Sequence, residues 1–170
     1  MSKRKQPYLS QYIFQKRNYY SYQCGPFAIY NLLSNNNYNV DLHELIKLCD
    51  ANPKEGTTYN KFDGVIKKIN KIYNINIKEL EPTIKNINIY IKKNYSCIIL
   101  FHWVDEINGT SGDHYAMIES IDKNNKFKVI NYSFDENIKY LSYREIKTML
   151  LPYKKNDEEF PKLWFCQNHT

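Results

Sequence analysis

The chain has 170 residues, of which 42% are hydrophobic and 25% charged, and this is the length and composition of one globular domain with its own core. Its net charge of +6 favours acidic partners, but the lysines are scattered and only Ser2–Lys5 is a compact basic cluster, so nucleic-acid binding is the weaker alternative. No apolar run approaches the roughly 20 residues that cross a bilayer, and no secretory stretch opens the chain. We therefore expect a soluble, intracellular protein with no membrane partner.

The first half of the chain is predicted to be mainly helical. Residues 1–14 form a basic arm, and residues 15–170 a single domain. Asp41 precedes an apolar face that contains Cys49, so it is expected to cap a helix in which Cys49 is inert core. Two of the predicted helices run from about Gly25 to Ser34 and from Asp41 to Asp50. Two more begin after residue 58 and at Pro82–Thr83. The apolar face of the helix after residue 58 consists of Phe62, Val65, Ile66, Ile69 and Tyr73.

The second half of the chain is predicted to form strands, with one more helix. A turn at Asp122–Asn125 separates two alternating segments, which predicts an antiparallel hairpin. Ser142 and Glu145 form a capping box for a helix that ends near Leu151. The predicted strands are Ile75–Leu80, Ser96–Trp103, Asp113–Ile121, Lys126–Ser133 and Lys162–Gln167. Helices followed by an antiparallel sheet indicate an α+β fold.

Cys24 is the candidate nucleophile. The four cysteines lie far apart, with no CxxC pair and no Cys/His cluster, so we expect free thiols, no metal and no cofactor. Cys24 directly precedes Gly25 and Pro26 at the start of a predicted helix, where backbone N–H groups can lower a thiol pKa and receive an oxyanion.

His114 is the candidate base. His43 is expected on a helix surface, His102 in the sheet with a satisfied hydrogen bond, and His169 in a frayed C-terminus. His114 instead opens a strand directly after the flexible stretch NGTSGD, and strand ends beside loops are where sites are assembled.

A third residue must hold the imidazole in its productive tautomer. The next strand offers Asn131, whereas a hairpin folded symmetrically about Asn124–Asn125 would place Asp135 opposite His114. The residue pattern alone leaves Asn131 and Asp135 as alternatives.

Several stretches, in order along residues 15–168, resemble papain-like cysteine peptidases, and most closely the bacteriocin-leader (double-glycine) peptidases and their stand-alone relatives. They are YQCGPFAIYNLL, EGTTYNKFDGVIKKINKIYNINI, CIILFHWVDEINGTSGDHYAMIESIDKNNKFKVINYS, YLSYREIKTML and KLWFCQ. The resemblance implies a papain-like fold in which the nucleophile opens the first helix.

The resemblance also implies roles for individual residues. Cys24 matches the nucleophile and His114 the base, and Asn131 falls on the family's orienting aspartate, which favours it over Asp135. The family's oxyanion-hole glutamine lies six positions before the cysteine, where this chain has Asn18. Gln15 and Gln23 are the alternative amide donors.

The expected function is that of a thiol peptidase, which cleaves a peptide bond through an acyl-enzyme on Cys24. Its partner would be a protein or peptide substrate, with a Gly-Gly segment as one candidate. Acyl transfer to an amine, or a catalytically silent peptide-binding module of the same fold, are the alternatives. The bias toward Asn, Ile, Lys and Tyr, with 16 Tyr and 5 Gly, suits an A/T-rich genome such as that of a parasite, a low-GC bacterium or a large DNA virus. A viral protein of this kind would be located in the host cytoplasm or the virion.

Overall fold

The structure is a computed structural model that describes residues 21–105, 107, 109–133, 137–152 and 161–169. The predicted basic arm at residues 1–14 lies outside these residues. The helices are α1 (Cys24–Asn35), α2 (Leu42–Cys49), α3 (Tyr59–Tyr73), α4 (Ile84–Lys92) and α5 (Tyr143–Met149), and a single 3-10 turn at Ser21–Gln23 precedes α1. The strands are β1 (Lys78–Leu80), β2 (Tyr95–Asp105), β3 (Thr110–Ile121), β4 (Phe127–Ile130), β5 (Ile138–Leu141) and β6 (Lys162–Gln167).

The six strands form one antiparallel sheet in the order β1-β6-β2-β3-β4-β5. The long strands β2 and β3 lie at its centre, where Leu100 pairs with Tyr115 and Phe101 with His114. Helices on an antiparallel sheet confirm the predicted α+β class.

Apolar side chains project from both faces of the sheet, because successive residues of a strand point to opposite faces. Leu100, Tyr115 and Met117 belong to the cluster that contains the buried residues of α1, α2 and α3. Phe101 and Ala116 belong to a second cluster, which contains the buried residues of α4 and α5. Consecutive residues of β2 and β3 therefore contribute to different cores.

Helix α1 is buried along its whole length, and all twelve of its residues are inaccessible to solvent or nearly so. It packs mainly against β3 and α2. A helix that is covered on every side must be largely apolar, as the segment CGPFAIYNLL is. The nucleophile candidate is therefore at the start of the most enclosed helix of the structure.

Two predicted helix caps are confirmed. The Asp41 side chain accepts a hydrogen bond of 2.8 Å from the backbone N–H of His43 at the start of α2. Ser142 and Glu145 make the complete capping box of α5, each side chain bonding the other residue's backbone N–H. Cys49 is fully buried in the core beside α1, as its position on the apolar face predicts.

The β3–β4 hairpin is closed differently from the symmetric turn expected. That turn would pair Ile121 with Lys128, whereas the structure pairs Ile121 with Phe127. The Asp122 side chain accepts hydrogen bonds of 2.8 Å from the N–H groups of Asn124 and Lys126, which closes a three-residue loop. The last loop residue, Asn125, has a left-handed φ of 58°.

A β-bulge then moves the hairpin register once more. The register shifts between Ile118 and Ser120, and the last pair of the β3–β4 ladder is Met117 with Ile130. The ladder ends before His114, so the symmetric register that placed Asp135 opposite His114 is wrong. Asp135 itself lies outside the described residues.

Within the described ranges, no helix is long and apolar enough to cross a membrane. The same ranges contain no group of three or more His, Cys, Asp or Glu side chains arranged to hold a metal ion.

Candidate active site

Cys24 is the first residue of α1, and its side chain is only 6% exposed. Backbone N–H groups of Tyr115, of Gly25 and of Cys24 itself donate toward the thiol sulfur. The predicted position at a helix start, within reach of backbone donors, is therefore observed. The bond from Tyr115 also brings the backbone of β3, including the adjacent His114, beside the thiol.

Gly25 allows the chain after α2 to approach the start of α1. A Cβ at Gly25 would lie 2.9 Å from both the Cβ and the Oγ1 of Thr57, which is too close for any real side chain. The backbone carbonyl of Thr57 accepts a hydrogen bond of 3.1 Å from the Tyr115 hydroxyl. Helix α1, the segment at residues 55–58 and β3 therefore meet around the nucleophile candidate.

A cavity of about 160 Å³ opens at this junction. Its lining includes Cys24 and two acidic residues, Glu55 and Asp113. The other lining residues are Tyr22, Gly56, Thr57, Thr58, Tyr59, Leu100 and Tyr115. The residues on both sides of His114 in β3 thus line the cavity that contains Cys24.

The His114 side chain is 2% exposed and lies on the Phe101 side of β3. The His114 and Phe101 rings meet edge to face, with 5.7 Å between their centroids. Its Nε2 is 2.7 Å from the backbone oxygen of Asn131. A carbonyl only accepts hydrogen bonds, so Nε2 carries the proton and Nδ1 the lone pair. The structure thus brings His114 and Asn131 together as predicted, but through the Asn131 backbone.

Among the described residues, no hydrogen bond joins the Cys24 thiol to the His114 ring. The groups that donate to the thiol there are backbone N–H groups. Burial raises the pKa of Cys24 to about 11. The three backbone N–H groups lower this pKa, and the negative charge of Asp113 raises it further, but burial is the largest effect. The backbone N–H groups at the helix start lower this pKa as expected, but desolvation outweighs them.

Burial also lowers the pKa of His114 to about 4, although the hydrogen bond to the Asn131 backbone acts in the opposite direction. Both groups are therefore neutral at pH 7. A neutral imidazole with its lone pair on Nδ1 has the form of a general base.

The other three histidines differ in their surroundings. His102 Nδ1 is 2.7 Å from an oxygen of Asp113, which confirms a sheet histidine with a satisfied hydrogen bond. His43 is exposed on α2, also as predicted. His169 does not lie in a frayed terminus as predicted, since its Nε2 is 3.0 Å from the Tyr38 hydroxyl.

Asp113 is a site residue that the sequence reasoning did not single out. It lines the cavity, is paired with His102 and acts on the charge of Cys24. Strand alternation offered a signal, because Asp113 has the same direction as Tyr115, two residues further along β3.

The candidate oxyanion donors are only partly described. Asn18 and Gln15 lie outside the described residues. Gln23 is buried and occupies the N-cap position of α1, directly before the nucleophile candidate. All three stay predictions.

A cysteine that opens a buried helix, packed on an antiparallel sheet beside a strand histidine, is the arrangement of a cysteine peptidase. Residues 10–149 match the peptidase C39 family, and the chain belongs to that family. The predicted resemblance to bacteriocin-leader peptidases is thereby confirmed.

The fold is similar to that of the peptidase domain of Streptococcus ComA, a bi-functional ABC transporter involved in a quorum sensing pathway. The two share 14% identity with a TM-score of 0.59, over 89% of this chain and 96% of that one. At this identity the likeness concerns the fold. No curated protein matches the chain.

The contact between Gly25 and Thr57 predicts that Gly25→Ala destabilises the protein by about 1–3 kcal/mol, because the added methyl group overpacks the start of α1. Gly64→Ala is the matched control, since a Cβ at Gly64 in α3 meets nothing within 4 Å and alanine favours helix. Chemical denaturation measures both free energies of unfolding. Equal stability of the two variants would contradict the close approach.

The lowered pKa of His114 predicts a loss of stability in acid. Between the unfolded pKa near 6.5 and the folded value of about 4, the unfolded chain binds more protons. The contribution is therefore complete above pH 6.5 and is lost as the pH falls toward 4, by up to about 3 kcal/mol.

Denaturation curves of wild type, His114→Gln and His43→Gln at pH 7.5, 5.5 and 4.5 measure this loss. His114→Gln should lose less stability than wild type on acidification, whereas the exposed His43→Gln should follow wild type. Parallel curves for wild type and His114→Gln would show that His114 is not buried in its neutral form.

Proposed function

We propose that this protein hydrolyses a peptide bond, with Cys24 as nucleophile and His114 as general base. The observation that carries the proposal is the cavity at the start of α1, which Cys24 lines, together with the backbone of β3, which reaches the thiol at Tyr115, the residue directly after His114. Membership of a cysteine-peptidase family supports the same chemistry. The substrate is accordingly a protein or peptide.

The proposed reaction starts from two neutral groups. As the Cys24 sulfur attacks the scissile carbonyl carbon, its proton passes to Nδ1 of His114. The carbonyl oxygen becomes an oxyanion, which the N–H groups at the start of α1 and an amide from Asn18, Gln15 or Gln23 stabilise. The imidazolium then protonates the leaving amine, and an acyl-thioester remains on Cys24.

Water completes the proposed cycle. His114 removes a proton from the water as it attacks the thioester carbonyl, and the thiol leaves with that proton. The carboxylate of Asp113, which disfavours the thiolate in the resting state, favours the imidazolium that forms during each half-reaction.

This reaction requires the His114 ring to move to the thiol when substrate binds. Catalytic hydrogen bonds are often long or incomplete without substrate and form in the substrate complex.

The substrate class follows from the family and from the cavity. Gly56 lines the cavity together with Cys24, and the cavity has a volume of only about 160 Å³, so a small residue such as glycine is favoured before the scissile bond. A Gly-Gly segment, as in the leaders that the related peptidases cleave, is the proposed substrate feature. A cytoplasmic or virion location in a virus-infected host remains a prediction from composition.

A catalytically silent peptide-binding module is the second candidate function. The raised pKa of Cys24 favours it, as do the hydrogen bonds of its thiol, which come from backbone groups among the described residues. Acyl transfer to an amine passes through the same acyl-enzyme, and the mass of the product distinguishes it from hydrolysis.

A peptide chloromethyl ketone that ends in Gly-Gly tests the proposal. We expect one covalent adduct per chain by intact mass, no adduct on Cys24→Ala, and an unchanged adduct on Cys49→Ala, since Cys49 lies buried in the same core. His114→Gln should slow adduct formation by about 100-fold or more, as expected for loss of a general base. Binding of the peptide without an adduct would identify the silent module.

A further inference from the structure

The backbone at Asn131 has an unusual conformation. Asn131 directly follows β4, is fully buried and has a left-handed φ of 55°. Its N–H donates to the backbone oxygen of Asn137 at 2.6 Å, which fixes the peptide on its N-terminal side. The same residue's carbonyl is the group that lies 2.7 Å from His114 Nε2.

The Asn131 carbonyl acts directly on the imidazole. It fixes Nε2 as the protonated nitrogen, which leaves Nδ1 to accept a proton from the thiol. It also favours the charged ring, because a hydrogen bond from an imidazolium is stronger than one from a neutral imidazole. These are the two tasks of the third residue in a Cys-His-Asn triad.

The left-handed φ then limits which residues suit position 131. Glycine adopts this conformation without steric cost, asparagine and aspartate adopt it more readily than other residues, and β-branched residues resist it. The same restriction that permits Asn131 also permits the aspartate that the resemblance places here.

We infer that Asn131 is a positioning residue that orients His114 through its backbone carbonyl, so that the requirement at this position is a left-handed backbone and not an amide or carboxylate side chain. The inference rests on the proposed function, since it assigns how the base of that reaction is held. It departs from the role that the resemblance gives to the side chain of this residue.

Three substitutions at position 131 test the inference. Asn131→Gly removes the side chain and keeps the conformation, so kcat/KM for a Gly-Gly peptide should stay within about threefold of wild type. Asn131→Asp should behave like Asn131→Gly. Asn131→Val opposes the left-handed φ, so kcat should fall at least tenfold with a smaller change in KM.

Asn125 provides the matched control. It has a φ of 58° in the exposed β3–β4 turn, distant in the hairpin from the His114 end of β3. Asn125→Val imposes a comparable backbone strain and should leave kcat unchanged. A fall in kcat on Asn125→Val as large as on Asn131→Val would show that the loss reflects general strain and would overturn the inference.

The nitrogen resonances of the His114 imidazole give a readout that does not depend on turnover. Wild type and Asn131→Gly should both show the Nε2-protonated neutral ring at pH 7, and Asn131→Val a mixture of tautomers. A loss of activity and of this tautomer in Asn131→Gly would mean that the side chain orients His114, and the inference would be wrong.

The two levels of the proposal can fail separately. If wild type forms no adduct and cleaves no peptide, the proposed function fails, while the tautomer in the Asn131 variants still decides whether the backbone holds the ring. If wild type is active and Asn131→Gly is not, only the inference fails.

Discussion

The burial of α1 between β3 and the neighbouring helices is the constraint on which the rest of the structure depends. It fixes the position of Cys24 at the edge of a small cavity and requires the close contact between Gly25 and Thr57. It also removes water from the thiol. A group that has lost its hydration is harder to ionise unless other dipoles replace the water.

The electrostatics of the site follow from the competition between burial and backbone dipoles. Three N–H groups point at the sulfur of Cys24, yet the pKa rises, so desolvation is the larger effect. The same burial keeps His114 neutral. The enclosed site therefore disfavours a resting thiolate–imidazolium pair, so in the proposed reaction proton transfer must accompany attack on the substrate. A resting thiol of this kind is also protected from adventitious alkylation and oxidation.

Local signals in the sequence predicted much of the fold. The capping box at Ser142, the cap at Asp41 and the core position of Cys49 were predictable because each depends on neighbours within a few residues. The family match confirms the longer ordered resemblance. The register of the β3–β4 hairpin was not predictable, since the hydrogen bonds of Asp122 and the bulge after Ile118 decide it.

The candidate site follows from residue types in the sequence, whereas its burial and electrostatics do not. The helix start predicts Cys24 as the candidate nucleophile, and the strand end predicts His114 as the candidate base. The degree of burial, which reverses the expected pKa of Cys24, depends on contacts between distant segments such as Tyr115 with Thr57. The left-handed backbone conformation of Asn131 likewise cannot be predicted from the spacing of hydrophobic residues.

The bulge in β3 affects where residues can be inserted into or deleted from this part of the chain. The shift between Ile118 and Ser120 affects only the β4 side, whereas the β2–β3 ladder continues without a shift from Cys97–Ile118 to Asp105–Thr110. Insertions or deletions in the turn beyond Ile121 can thus be absorbed without displacing His114. A single-residue insertion between His114 and Ile118 would exchange the two faces of the strand, so only changes of even length there would preserve which side chains meet α1.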